Sequence, residues 1–192
     1  MNKQYLIGQL EAMQNAKRVN RLRVANLVLN NPDLLPFLIE VSFETDNKLS
    51  IKAAWSLELV LEQQLDWITP YLDYFTTQIS TVVFGSAVRS FSKICNFIAI
   101  AYTSKNKSIL QEFLQKKHID AIIETGFDWM ISNHKVAVKA YTMNALALFG
   151  KNYDWVHEEL KLIIQQNIIH ESAAYKARGK MTLLLINKKI NL

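Results

Sequence analysis

Apolar residues recur along this chain at helical spacing. Ile68, Leu72, Phe75 and Ile79 form one stripe, and Val156, Leu160 and Ile163 form another that fades at Asn167. Positions three and four apart share a helix face, so each stripe predicts an amphipathic α-helix. No alternating pattern of the kind a half-buried strand needs persists anywhere. Short polar breaks lie between the apolar stretches: "NNPD" at 30–33, "ETDNKLS" at 44–50, "TSKNKS" at 103–108, "ISNHK" at 131–135, "FGKNYD" at 149–154 and "IIHES" at 168–172. They imply about ten helices joined by short loops, which forces neighbours to run antiparallel. The expected fold class is all-α, in one domain over 1–192.

The segments also resemble one another. "SIKAAWSLELVLEQQLDWITPYL" from Ser50 aligns with "AVKAYTMNALALFGKNYDWVHEEL" from Ala137. Each has a Lys followed by Ala, then an apolar helix, a polar break and Asp-Trp-apolar. Arg89-Ser90 and Lys176-Ala177 fall in the same frame, and Arg21 opens a first copy that is shorter at its break. The repeat is degenerate, at roughly 35–50 residues. Three of the four tryptophans follow an aspartate: "LDWI" at 65–68, "FDWM" at 127–130 and "YDWV" at 153–156. Asp66 and Asp154 follow breaks and precede apolar periodicity, where an N-cap carboxylate accepts free first-turn N–H groups. Asp128 differs, because the sequence reads as helix on both sides of it.

Composition narrows the class. Of 192 residues, 50% are hydrophobic and 20% charged, which suits a globular protein with a substantial core. Five Gly and three Pro are too few turn-formers for a many-stranded β-fold. The longest apolar stretch, Ile94 to Tyr102, is far shorter than the ~20 residues that span a bilayer. The N-terminal residues do not read as a signal peptide. A lone Cys95 excludes an intrachain disulfide and fits a reducing cytoplasm. A net charge of +5, with a pI of about 9.2, permits an anionic partner without requiring one.

A basic residue followed by a small one, opening the second helix of a pair, resembles HEAT and armadillo-type repeats. The resemblance covers most of residues 15–190. It implies a short right-handed α-solenoid of about five HEAT-like antiparallel helix pairs, with a continuous core and terminal helices that are polar outside. The polar end "INKKINL" fits such a cap. The combination "ANLVLNNPDLLPFL", "KAAWSLELV", "SAVRSFSKICNFI", "FDWMI" and "VAVKAYTMNAL" is similar to a family of short bacterial helical proteins often labelled adenylosuccinate lyase. The chemistry behind that label is not carried by these residues. Enzymes of the lyase superfamily use a flexible Gly-Ser-Ser loop followed by Met-Pro-x-Lys-x-Asn, whereas the nearest string here is "FGSAVRS" at 84–90.

The candidate site residues are therefore surface groups. Arg21, Lys52, Arg89, Lys139 and Lys176 occupy equivalent repeat positions and would form a basic row, each cation either paired with a carboxylate such as Asp46 or Glu171, or free for an acidic partner. Trp67, Tyr71 and Tyr74 make a second line beside the Ile68/Leu72/Phe75 stripe, either core or a partner-binding patch. His118, His134, His157 and His170 lack paired spacing, no Cys-x-x-Cys occurs, and glycine loops that cradle phosphate are absent, so no metal, cofactor or catalytic residue is expected. Cys95 reads as a buried structural thiol. The expectation is a non-enzymatic, cytoplasmic interaction module with a protein partner and no membrane contact. The alternative is a nucleic-acid-binding protein similar to the HEAT-like DNA alkylation-repair glycosylases, which set an aspartate and aromatics in a basic groove.

Overall fold

The computed structural model of the chain describes residues 1–187. These residues are all-helical, with no strand among them. They fall into two compact units that divide between Ile94 and Cys95. The first holds α1 (Lys3–Glu11), α2 (Arg18–Asn30), α3 (Leu35–Ser42), α4 (Leu49–Gln63) and α5 (Leu72–Gln78). Helix α6 (Gly85–Thr103) contains the division. The second unit holds α7 (Ile109–Phe113), α8 (Lys116–Ile131), α9 (Val136–Phe149), α10 (Asp154–Asn167) and α11 (Ala173–Asn187).

Each unit is built around one central helix. In the first, α2 and α3 both pack on α4, whose residues Ala53, Ala54, Leu57, Leu59, Val60 and Leu61 are buried. In the second, α8, α10 and α11 pack on α9, which buries Val138, Met143, Ala145, Leu146, Ala147 and Phe149. A helix that is apolar nearly all round has to be surrounded in this way. The two central helices are the two segments that align in sequence, Ser50 onward and Ala137 onward. In the first unit Phe43 stacks on Phe91 at 4.5 Å and meets Phe75 edge-on at 5.9 Å. This aromatic cluster joins the end of α3 to α5 and α6.

Breaks in the apolar pattern mark the helix ends. The Ser108 hydroxyl and the Gln111 side chain form a reciprocal capping box at the start of α7. The Gln111 amide also donates to the carbonyls of Ala101, at 2.7 Å, and Ser104, at 3.0 Å, so one side chain satisfies the end of α6 and the start of α7 together. At 65–81 the stripe Ile68/Leu72/Phe75/Ile79 is buried as its spacing predicts, but not on one helix. It runs through a 3₁₀ helix, Leu65–Tyr71, then α5, then a 3₁₀ turn, Ile79–Thr81. Pro70 lies inside the first of these. Its ring and missing N–H keep the segment from continuing as an α-helix.

Two expectations are corrected. Asp66 and Asp154 are not N-caps: Gln64 and Tyr153 hold those positions, and neither caps with its side chain. Asp154 lies one position past its N-cap and Asp66 two, both in the first turn, where a carboxylate still meets the positive end of the helix dipole. Asp154→Ala is therefore expected to cost only about 0.3–1 kcal/mol, a loss that thermal melts at ~1 M salt should no longer detect. The outer face of α11 is also less polar than a solenoid end should be. Met181, Leu184 and Leu185 are all exposed there. Of the polar tail "INKKINL", only Ile186 and Asn187 lie within the described residues.

Candidate functional site

The line Trp67, Tyr71 and Tyr74 separates into two environments. Trp67 and Tyr71 are half-buried and face a shared hollow of about 310 Å³, lined also by Pro32, Leu35, Asp66 and Pro70. Two of the chain's three prolines thus stand in one wall. Pro32 starts the 3₁₀ turn Pro32–Leu34 and Pro70 lies within the 3₁₀ helix that carries both aromatics. Fixed proline φ angles pre-set this backbone, so little conformational freedom remains to be lost on binding. Tyr74 does not line the hollow. It is 43% exposed and meets Phe43 edge-on at 5.6 Å. Burial pushes its phenol up, and the charges of Glu40 and Glu44 push it further.

The three Asp-Trp pairs share a sequence pattern but not a role. Trp67 walls the hollow, Trp129 is buried within α8, and Trp155 is 55% exposed and tilted against Phe127 at 5.8 Å.

Most of the row of cations is spent inside the protein. Arg89 donates to Glu58 at 3.0 Å, and Lys139 to Glu171 at 2.7 Å. Lys139 is itself buried and lies 5.7 Å from the centre of the Tyr175 ring. Lys52 donates to the carbonyl of Glu11 at 3.0 Å, complementing the negative end of α1. Arg21 is half-buried with its Nε out of water. Lys176 is half-buried and makes no ion pair with a described residue. Glu171, a turn before Lys176 in sequence, pairs with Lys139 instead.

One cluster escaped the sequence reading. Glu58, in the apolar run "WSLELVLEQ", is buried in α4 and accepts bonds from three groups of α6. Arg89 bonds Oε2 at 3.0 Å, Ser90 bonds the same oxygen at 2.7 Å, and Lys93 bonds Oε1 at 3.0 Å. Lys93 also reaches Glu62 at 3.0 Å. The available signal was a carboxylate at an interior position, since a buried charge demands partners.

Two of the histidines are bonded within the fold. His157 Nε2 donates to the Ala147 carbonyl at 2.8 Å, and His118 Nδ1 accepts the Gln115 N–H at 3.0 Å. Burial lowers the His134 pKa, and the Lys139 charge lowers it further. Burial pushes the Cys95 thiol far up, which keeps it protonated and unreactive. Among the described residues no three His, Cys, Asp or Glu side chains gather in a metal-ligating set, and no helix is long and apolar enough to cross a membrane.

No known protein family, curated protein or solved structure matches the chain. The reading of its surface rests on its own chemistry. In the Trp67–Tyr71 hollow that chemistry is two aromatic rings, two proline rings, a leucine and one carboxylate, with no cation in the wall. Such a lining suits an apolar or cationic side chain and opposes a phosphate.

Proposed function

We propose that the chain is a non-enzymatic interaction module of the HEAT-like helical-repeat class, whose Trp67–Tyr71 hollow receives a side chain of a cytoplasmic protein partner. The observation that carries this reading is the hollow itself, a pre-set aromatic and proline surface of the kind interfaces use as anchors. The alignment of the two central helices, α4 and α9, supports the repeat reading and with it a short α-solenoid. The similarity to the family labelled adenylosuccinate lyase belongs to the same proposal. It concerns helix packing and implies no turnover of adenylosuccinate.

The nucleic-acid alternative is weakened on physical grounds. A phosphate-binding row needs free cations, and Arg89, Lys139 and Lys52 each already hold an internal acceptor. The expected result is that wild-type protein and a Trp67→Ala/Tyr71→Ala variant, both folded by circular dichroism, differ at least tenfold in capture of one partner by quantitative mass spectrometry. A Lys52→Ala/Lys176→Ala variant should keep that partner. Duplex DNA binding at micromolar or tighter affinity in ~150 mM salt, lost in the lysine variant and kept in the aromatic one, would reverse the assignment.

A further inference from the structure

Helix α11 has two apolar faces and only one is covered. Tyr175, Gly179, Thr182 and Ile186, spaced by four, three and four, are buried. They form the seam on α9, and Gly179 brings the helix close enough that a Cβ there would crowd Ile164 of α10 at 3.0 Å. A second seam runs along the opposite side. Ala174, Ala177, Met181 and Leu184 follow the three-and-four spacing of a helix-packing stripe, and all four are exposed. Leu185, 48% exposed, widens it toward α9. Between α11 and α9 lies a hollow of about 150 Å³, lined by Asn144, Ala147, Arg178, Met181, Thr182 and Leu185. The seam therefore has small residues at one end, large ones at the other and a socket along its edge.

Charge selects what covers it. Lys176 and Lys180 flank the seam on one side, Arg178 stands on the other beside the socket, and α11 contains no acidic residue. A second copy of the chain paired through this seam would bring like charges together, which opposes self-association. We propose that the outer seam of α11 docks an amphipathic helix of a partner protein, one that presents apolar residues at three-and-four spacing flanked by Asp or Glu. The small residues at Ala174 and Ala177 permit close approach of the partner backbone. The socket takes one aliphatic side chain, and Lys176, Arg178 and Lys180 set orientation through flanking ion pairs. This deepens the interaction-module reading with a second surface, independent of the Trp67–Tyr71 hollow.

The test uses the full chain and a labelled helical peptide with leucines at the seam positions and glutamates flanking them, followed by fluorescence anisotropy at ~150 mM salt. Saturable micromolar binding is expected, weakened at least tenfold by Leu184→Glu and at least tenfold for the same peptide with lysines in place of glutamates. Both large seam residues are exposed, so the variants should keep wild-type helicity and melting. Charge reversal gives an independent check: Lys176→Glu/Arg178→Glu/Lys180→Glu should invert the preference toward the lysine peptide. The Trp67→Ala/Tyr71→Ala variant should bind the glutamate peptide as wild type does, so failure at one surface is readable apart from failure at the other. Equal binding of both peptides, or binding indifferent to Leu184→Glu, overturns the proposal. So does dimerisation by light scattering that Leu184→Glu abolishes, or binding to vesicles of anionic phospholipid that outcompetes the peptide.

Discussion

Glu58→Ala is expected to lower stability by about 3–5 kcal/mol, the cost of leaving buried cations without their counter-charge. Glu58 is at 2% side-chain exposure and Lys93 at 13%, so neither group can recover its hydration when the other is removed. Arg89, at 34%, turns to water more readily, and Lys93 keeps Glu62; both facts place the expected loss near the lower bound. For a chain of this size the melting temperature should fall by roughly 2–4 °C per kcal/mol. The network is a two-by-two lattice: residues 58 and 62 lie one turn apart on α4, and residues 89 and 93 one turn apart on α6. It fixes the first half of α6 in register on α4, because a slip by one turn would leave Glu58 with only one of its two cations. Adding Arg89→Met/Lys93→Met to Glu58→Leu should recover most of the loss, since an apolar replacement removes the desolvation cost together with the attraction. Urea denaturation of the single and triple variants measures both. A Glu58→Ala protein within ~1 kcal/mol of wild type would mean that water reaches the site.

The same lattice predicts an alkaline limit. Burial alone would lower the Lys93 pKa, but the hydrogen bonds it donates to Glu62 and Glu58, and their charges, outweigh it, and the net shift is upward. A lysine whose folded pKa lies above its ordinary 10.5 binds its proton more tightly in the native state. Its contribution is complete below pH 10.5 and is lost as pH rises through the folded value. Stability should therefore decline above that pH, and Lys93→Met should remove this component while lowering stability at neutral pH.

Local patterns in the sequence carried the helices well. All six polar breaks fall at helix boundaries, because Asn, Ser, Gly and Pro act on the few residues beside them. Tertiary pairings did not show. Arg89 finds Glu58, and Lys139 finds Glu171, across more than thirty residues of chain, and periodicity carries no record of such distances. Equivalent positions in a repeat therefore suggested a row of like groups where the folded chain gives Lys52, Arg89 and Lys139 three different acceptors. The Asp-Trp pattern misled for a related reason: its neighbours in sequence are alike, but Trp67, Trp129 and Trp155 meet different surroundings in space. For the site, Trp67 and Tyr71 were legible as excess aromatic width on an apolar stripe. Pro32 and Leu35, their partners in the hollow, were not, since they come from a separate part of the first unit. The outer seam of α11 was hidden because a helix with two apolar faces has a weak amphipathic signature.

Gly150→Ala should be strongly destabilising even though its backbone angles suit any residue. Gly150 ends α9 with φ near −57°, an ordinary right-handed helical value. At such a position alanine usually stabilises, by about 0.4–1 kcal/mol, because it narrows the unfolded ensemble. Here the sign reverses for want of space. A Cβ on Gly150 would lie within the van der Waals shell of the His157 ring, at Cδ2, Nε2 and Cγ together. That ring cannot swing aside cheaply: it is 7% exposed and its Nε2 donates to the Ala147 carbonyl at 2.8 Å, joining the start of α10 to the end of α9. Overpacking costs about 1–3 kcal/mol and loss of a buried hydrogen bond about 1–3 more, so the expected total is roughly 2–6 kcal/mol. The cause can be isolated by a double-mutant cycle. His157→Ala removes both the obstacle and the bond, so Gly150→Ala in that background should cost nothing or stabilise slightly. Denaturation midpoints of the four proteins give the coupling. Additivity within ~0.5 kcal/mol would show that the ring does not press on Gly150, and that the α9–α10 junction is held by something other than this contact.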